Sequence, residues 1–403
     1  MKLFLLLVLA TLPLLADDAD IIPMASKPIP LGLTGNWNDV REKLRDNGVN
    51  FTGSYVNDLL GNPVGGTSHG FTNAGSFGAE LELEFGKFSP LQGLLFFTSF
   101  VYRSGSSLSK KDIGNVFPVQ QVYGSETYRL NELYFKQILF DERLFLKAGR
   151  LNGGNDFLTS PLYYLYVSNA YDGNPISIFF NVPFTAYPNA TWGAYIAGKP
   201  LKNFLIRVAA YTCNTHAISS NDCHGANFTF DNPQGVLYIN EWVYEPNFSL
   251  EGHYKFGWYI VSKALPTYLN GEASCNWGYY FLLDQTIAKG ITPFVCLLFA
   301  PKNRNQFPFF TTAGIVFKII PCRPNDSIDL GFCYGHYSTD LRHEQRMTHF
   351  KPQNFEAGIE LNYWWQPTPW LAITPDIQYV INPSGYGTIK NALVLGAQIG
   401  ITL

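Results

Sequence analysis

The sequence predicts an all-β fold, a transmembrane antiparallel β-barrel of about 16 strands preceded by a short N-terminal helix. Segments of about ten residues alternate apolar and polar side chains, and clusters of turn residues separate them. Aromatic residues make up 16% of the 403 residues and charged residues only 15%. A barrel accounts for this composition, because one side of each strand faces lipid and aromatic rings gather at both membrane interfaces.

The N-terminus has the layout of a secretory signal peptide, predicted for residues 1–16. Lys2 precedes an apolar run from Leu3 to Leu15, and Ala16 stands before acidic residues. After this segment, no stretch approaches the roughly 20 apolar residues that a membrane-spanning helix needs. Export without a helical anchor is therefore expected.

Residues 17–48 are predicted to be a periplasmic segment with one short helix. Trp37, Val40 and Leu44 share one face of a helix over 36–47, and Gly48 follows as a stop signal. The helix is expected either to pack against the periplasmic mouth of the barrel or to be a simple leader.

Residues 49–403 are predicted to form the barrel. The strand candidates are 51–60, 76–86, 93–103, 127–139, 143–151, 191–198, 203–212, 234–245, 249–261, 277–287, 291–300, 307–319, 326–337, 353–366, 369–381 and 390–403. The connections between them alternate largely between short and long, as periplasmic turns and extracellular loops do when both termini face the periplasm. The longest connection is 152–190.

Alternation assigns the two faces of the strands. In 354–363, apolar Ile359 and Leu361 alternate with polar Glu360 and Asn362. In a membrane barrel the apolar face contacts lipid and the polar face lines water. The same reasoning gives the predicted acidic lumen wall, which is Glu80, Glu82, Glu84, Asp329, Glu356, Glu360 and Asp376, with Glu241 on a strand that is apolar on both faces.

Several segments resemble the carbohydrate-selective porin (OprB) family. They are Thr34-Gly-Asn-Trp-Asn-Asp-Val-Arg, Ala148-Gly-Arg-Leu-Asn, Tyr187-Pro-Asn-Ala-Thr-Trp-Gly, Pro301-Lys-Asn-Arg-Asn and Pro375-Asp-Ile-Gln-Tyr-Val-Ile-Asn-Pro. The chain looks like a divergent member, since it ends in Leu403 rather than an aromatic residue and has six cysteines. The resemblance implies a 16-stranded barrel of a Gram-negative-type outer membrane, surrounded by its lipid. It also implies that loop 152–190 folds inward to form an eyelet of arginines, carboxylates and an aromatic ring for sugars.

Six residues are the candidates for this constriction. Arg150 matches the family-like segment and is expected to line the constriction or to anchor the loop, while Asp156 holds that arginine or faces the solute. Trp192 is either a sugar platform or a membrane-interface residue. Arg207 should point into the lumen, and Arg103 and Arg129 rank lower because the parity of their strands is ambiguous.

The cysteines lie at 213, 223, 275, 296, 322 and 333. None has the paired spacing of a zinc or thioredoxin-like site. Disulfides are the ordinary expectation in an oxidising envelope, and Cys213 with Cys223 is the best candidate pair.

The predicted function is passive diffusion of sugars or similar small polar solutes. A formal net charge of −3 gives no indication of nucleic-acid binding. No enzyme, cofactor or metal is expected, since His343, Glu344 and His349 lack zinc-protease spacing and no nucleophile elbow is present. The alternatives are a channel for anionic metabolites such as dicarboxylates, and a structural or adhesive envelope barrel cross-linked through cysteines. Whether the chain forms a homo-oligomer is left open.

Overall fold

The computed structural model describes residues 32–124, 126–171, 173–214, 223–246 and 248–403. The predicted signal peptide lies outside these ranges. Within them, sixteen strands form one closed antiparallel barrel in which each strand pairs with its neighbours in the chain and the last pairs with the first. In order, the strands are β1 Val49–Gly66, β2 Phe71–Glu84, β3 Leu94–Gly105, β4 Thr127–Leu139, β5 Leu144–Leu151, β6 Thr191–Leu201, β7 Phe204–Thr212, β8 Val236–Tyr244, β9 Gly252–Val261, β10 Asn276–Gln285, β11 Ile291–Phe299, β12 Phe309–Phe317, β13 Ser327–His336, β14 Phe355–Thr368, β15 Leu371–Ile381 and β16 Lys390–Thr402.

These bounds confirm the predicted barrel and its strand count. The largest difference is the first hairpin, where β1 and β2 extend so far that residues 67–70 alone connect them. Residues 61–66 look like turn residues in the sequence, but they continue β1 through two register shifts against β16. The connection predicted for 61–75 is therefore too long.

Closure of the barrel joins the two ends of the described chain. Ser54 pairs with Thr402 and Asp58 with Gln398 along β1 and β16. The Gln398 side-chain amide also donates to the Asp58 carboxylate at 2.8 Å, inside the lumen. Neither strand is left with an unpaired edge, which is the condition for a sheet to exist within a bilayer.

The faces of the strands follow the alternation in the sequence. On β14, Ile359 and Leu361 are 40% and 44% exposed and face outward, whereas Glu356 and Glu360 are buried inside. Ile377 and Tyr379 on β15 are likewise exposed, whereas Asp376 and Gln378, which alternate with them, are buried inside. Apolar side chains therefore cover the outside of the barrel, as predicted.

The helices are short and belong to the N-terminal segment and to the connections between strands. They are α1 Val40–Asp46, α2 Gly153–Asp156, α3 Ser177–Asn181 and α4 Thr339–Met347; the remaining elements are single helical turns at Phe85–Lys87, Ser109–Ile113, Tyr163–Leu165, Cys223–Gly225 and Pro383–Gly385, and a two-residue ladder between Leu265–Pro266 and Glu272–Ala273. No helix in the described ranges is both long and apolar enough to cross a membrane.

The N-terminal helix is shorter than predicted. Residues 37–39 have left-handed backbone conformations, with φ of 52°, 55° and 67°, so the helix begins only at Val40 and Trp37 lies before it. Arg41 donates to the Phe51 carbonyl at 3.3 Å, and Leu33 donates to the Thr402 carbonyl at 2.8 Å. The segment lies beside the end of the barrel where the short turns are, called the turn end below; the opposite end is the loop end.

Two long connections, 106–126 and 152–190, fold into the lumen. The second carries buried rings, among them Phe157, Tyr163, Tyr166 and Tyr171, that pack against the inner faces of β5 to β13. Tyr166 lies 4.8 Å from Tyr171 and 5.7 Å from Phe294, measured between ring centroids. One side of the lumen is thus a solid aromatic core, so any channel must run along the other side.

The close approach of β4 and β5 provides a test of the barrel wall. Gly149 has φ +145°, and a Cβ there would lie 2.4 Å from the Leu133 carbonyl oxygen. We expect Gly149→Ala to lower the stability of the barrel by about 1–3 kcal/mol, because a side chain is strained at that backbone conformation.

The measurement is the temperature at which the folded band converts to the unfolded band on a detergent gel. Gly198→Ala on β6 is the matched control, since the nearest atom to a Cβ there is 4.0 Å away. Equal transition temperatures for the two variants would contradict the prediction.

Candidate pore and its loop anchors

A continuous cavity of about 1740 Å³ runs through the lumen beside the aromatic core. Its wall side is formed mainly by β1 to β5 and β14 to β16, and its other side by the two inward-folded loops. The charged side chains that line it are Glu80, Arg103, Lys110, Arg129, Glu132, Lys147 and Lys263. The lining aromatic rings are Phe97, Tyr123, Tyr134, Tyr164, Phe179, Phe180, Phe184, Tyr187 and Trp364. Charged groups and flat rings thus share one passage, as weak and repeated binding of a polar solute requires.

Arg103 and Arg129 line this cavity near the loop end. They project inward from β3 and β4, whose strand parity the sequence left ambiguous, and 3% and 6% of their surfaces are exposed. The Arg103 guanidinium lies 4.9 Å from the centroid of the Tyr187 ring on loop 152–190. The passage therefore has a cationic wall faced by an aromatic ring of the inserted loop.

The Tyr187 phenol is a neutral hydrogen-bonding group in this passage. Its hydroxyl lies 3.4 Å from the Ser76 hydroxyl on β2. Burial raises the pKa of Tyr187, and this outweighs the hydrogen bond with Ser76 and the nearby Arg103, which lower it. The hydroxyl is therefore protonated at neutral pH and is able both to donate and to accept.

Two lining residues, Lys147 and Glu132, are not among the residues predicted from the sequence. The Lys147 ammonium bonds to the Asp156 carboxylate at 2.5 Å and lies 5.3 Å from the Tyr134 ring. The Glu132 carboxylate accepts from the Asn152 backbone N–H at 2.9 Å. Lys147 could have been found, since it alternates with Leu146 and Ala148, but a bulge near Glu132 hides the parity of β4.

Asp156 and Arg207 belong to the anchoring of the loop rather than to the passage. Arg207 points into the lumen, where it bonds to Glu241 at 2.8 Å and donates to the Asp156 carbonyl at 2.9 Å. Glu241 is fully buried and also accepts from the Leu158 N–H and the Tyr280 hydroxyl. Neither Asp156 nor Arg207 lines the cavity.

Two further wall carboxylates hold the loops on the other side of the lumen. Glu360 accepts from the backbone N–H groups of Val167 and Ser168 at 2.7 and 3.1 Å. Glu356 accepts from Val116 and Phe117 of loop 106–126 at 2.9 and 2.6 Å. These residues were predicted as a solvated wall, but their position is one of buried acceptors for loop amides.

Three further acidic residues of the wall have partners on the wall itself. Glu80 accepts from Thr52 at 3.1 Å and Glu82 from Asn50 at 3.4 Å, both across the β1–β2 pair. Asp376 accepts from Gln378 at 2.7 Å. Of these three residues, Glu80 lines the cavity.

Arg150 and Trp192 lie outside the lumen, contrary to the expectation that they form the constriction. They are paired across β5 and β6 on the outer face, in phase with the exposed Ala148 and Ala194. Arg150 donates to the Ala190 carbonyl at 3.0 Å and to that of Asn227. The alternation of side chains along β5 and β6 sets this outward direction. Arg150 therefore fits the alternative of a loop anchor, and Trp192 fits that of a membrane-interface residue.

All six cysteines have free thiols in the structure. Cys213 is buried at the end of β7, whereas Cys223 is exposed, and no bond joins them. The predicted Cys213–Cys223 disulfide is therefore absent. Residues 215–222 between them lie outside the described ranges.

A family model described as "Carbohydrate-selective porin, OprB family" matches residues 68–403. The chain belongs to this family. Porin B of Pseudomonas aeruginosa is 25% identical over 423 residues, which cover 93% of this chain and 92% of that protein. The putative porin QuiX of Acinetobacter baylyi is 23% identical over 418 residues, with coverage of 90% and 91%.

Solved structures show the same fold as this OprB-family chain. The high-pH structure of Pseudomonas putida OprB has a TM-score of 0.87 at 24% identity, covering 93% of this chain and 99% of that chain. The low-pH structure of the same protein has a TM-score of 0.62 at 21% identity, with coverage of 92% and 98%. The outer membrane channel DcaP of Acinetobacter baumannii has a TM-score of 0.53 at 10% identity, with coverage of 88% and 97%.

The anchoring of loop 152–190 gives a testable prediction for this OprB-family porin. Glu360→Ala leaves the Val167 and Ser168 amides without their carboxylate, at a cost of about 1–3 kcal/mol for each buried group. We expect larger current fluctuations of single channels in a planar bilayer and faster proteolysis within 152–190.

Glu84→Ala is the matched control, because it removes the same charge from a residue to which no amide of the described loop residues bonds. Equal current noise in the two variants would show that Glu360 does not hold the loop.

Proposed function

We propose that this chain is an outer-membrane porin for the passive diffusion of carbohydrates, without energy coupling. The observation that carries the proposal is the cavity beside the aromatic core, in which Arg103, Arg129 and Lys147 face Glu80, Glu132 and the Tyr187 ring. Sugar hydroxyls take weak hydrogen bonds from such groups, and the C–H face of a pyranose stacks on a flat ring. Membership of a carbohydrate-selective family supports the same solute class.

The outer membrane is the proposed location. Support comes from the predicted signal peptide, from the apolar outer surface of the closed barrel, and from the likeness to the outer membrane channel DcaP of Acinetobacter baumannii. The long connections then face the outside of the cell, and the short turns and α1 face the periplasm. Family and fold indicate a channel rather than an enzyme.

Arg103 and Arg129 are the proposed solute-binding groups of the passage, with Lys147 and Tyr187 added from the structure. Asp156, Arg207, Glu241, Glu356 and Glu360 are proposed as positioning residues, because they fasten the loops that set the width of the passage. The roles are then divided: carboxylates that bond to loop amides shape the channel, and cations that line the cavity contact the solute.

A channel for anionic metabolites is the second candidate. Five cations, Arg103, Lys110, Arg129, Lys147 and Lys263, line the cavity, and dicarboxylates bind arginine through paired hydrogen bonds. The structural barrel cross-linked through cysteines gains no such support, since an open passage of about 1740 Å³ runs through the lumen.

Single-channel recording of the refolded chain in a planar bilayer, with glucose, a larger sugar and a dicarboxylate added in turn, tests the proposal. We expect steady conductance that sugars block in a concentration-dependent manner. Block by the dicarboxylate alone would favour the anion channel, and a barrel without conductance would overturn both.

Arg103→Ala should raise the glucose concentration for half-block by about tenfold, as expected when roughly 1.4 kcal/mol of charged hydrogen bonding is lost. Tyr102→Ala is the control, since this neighbouring side chain points outward and is 49% exposed. A shift of the same size in both variants would remove Arg103 from the solute path.

A further inference from the structure

Part of the connection between β7 and β8 lies against the outside of the barrel. This segment, residues 223–231, is called the outer flap. The His224 ring stacks on Tyr128 of β4, with centroids 4.1 Å apart and planes at 15°. The Trp192 indole N–H of β6 donates to the Phe228 carbonyl at 3.3 Å. Since Tyr128 and Trp192 face outward, the outer flap crosses β4, β5 and β6 on their external surface.

Arg150 of β5 fastens the outer flap. Its guanidinium donates to the carbonyls of Asn227 in the flap and Ala190 at the end of the lumen loop, and it lies 5.7 Å from the centroid of the Phe228 ring. An arginine on the lipid-facing side of a strand is costly unless its charge is satisfied. The flap and the end of the lumen loop each supply one carbonyl acceptor, and the arginine is only 3% exposed.

The flap covers one arginine but exposes two phenylalanines. Phe228 is 48% exposed and Phe230 is 74% exposed, and their ring centroids lie 6.4 and 6.2 Å from that of Trp192. Leaving such rings in water is unfavourable, by roughly 1.5–3 kcal/mol for a fully exposed ring. Around them, Tyr102 and Tyr128 are 49% and 53% exposed on the outward faces of β3 and β4. The two phenylalanines thus continue the outward aromatic surface at the loop end.

We propose that the outer flap is a lipid-binding surface, seated in the interface of the outer leaflet with Phe228 and Phe230 among the lipids. Aromatic rings favour this zone because one side of it is apolar and the other is hydrated. The inference rests on the membrane location given under the proposed function, but it does not depend on which solute passes. Continuity with the lipid-facing wall selects lipid as the occupant over a second copy of the chain.

A nitroxide label on Phe230→Cys tests the inference in the full-length chain, reconstituted in vesicles of phosphatidylcholine and phosphatidylglycerol. Serine replaces the exposed or half-buried Cys223, Cys275 and Cys322, so that the label attaches at position 230. We expect collision with dissolved oxygen to exceed collision with a water-soluble nickel chelate, as at a label on Tyr102→Cys.

The water reference is a label on Asn270→Cys, an exposed turn residue of the loop end. Accessibility at 230 that matches Asn270→Cys would overturn the proposal. Spin–spin broadening between copies, removed by dilution with unlabelled chain, would also overturn it, because it would identify a second copy as the occupant.

The mobility of the label at position 230 tests whether Arg150 holds the outer flap in place. Arg150→Met in the 230-labelled chain should increase the mobility of the label and reduce its protection from water, while the glucose block of the channel persists. An unchanged spectrum would show that Arg150 does not hold the flap. If this variant fails to fold, the label in the chain with Arg150 intact still decides whether lipid contacts the flap. Loss of sugar block with an unchanged label would instead bear on the proposed function alone.

Discussion

The structure depends on closure of the hydrogen-bonded ladder between β1 and β16. Lipid offers no partner for a free backbone N–H or C=O, so a strand at an open edge would be excluded from the bilayer. Closing sixteen strands on one another satisfies every strand edge, but it encloses a lumen wider than side chains alone fill. The inward loops are the consequence of that width.

Buried carboxylates make those loops part of the wall. Glu241, Glu356 and Glu360 each accept backbone N–H groups from an inserted loop, and Glu132 does so at the start of loop 152–190. A carboxylate that accepts amides forms stronger hydrogen bonds than a neutral acceptor does. The loop rings then pack on β5 to β13, which leaves the passage displaced to one side of the lumen. The cations and rings that line this passage belong to the barrel wall and to the anchored loops.

On the outer face of the barrel the polarity is reversed, with apolar side chains exposed and a charged one covered. Apolar strand residues cover the outer face, and the charged Arg150 on that face is covered by the outer flap. Because this arginine also bonds to Ala190, it links the external flap to the end of the loop that narrows the channel. A family-like motif residue can thus serve the architecture of a channel without touching its solute.

The sequence by itself determined the barrel, the number and approximate bounds of its strands, and the direction of Glu356, Glu360, Asp376 and Arg207, because strand alternation is a local property of the chain. Only the tertiary structure decided which inward residues line the passage, since Arg103, Arg129 and Lys147 line the cavity whereas Arg207 and Glu241 bond to each other away from it. It also separated Cys213 from Cys223 and placed Arg150 and Trp192 outside. These outcomes depend on where long loops pack, and loop packing is set by contacts between residues far apart in the chain, which periodicity does not record.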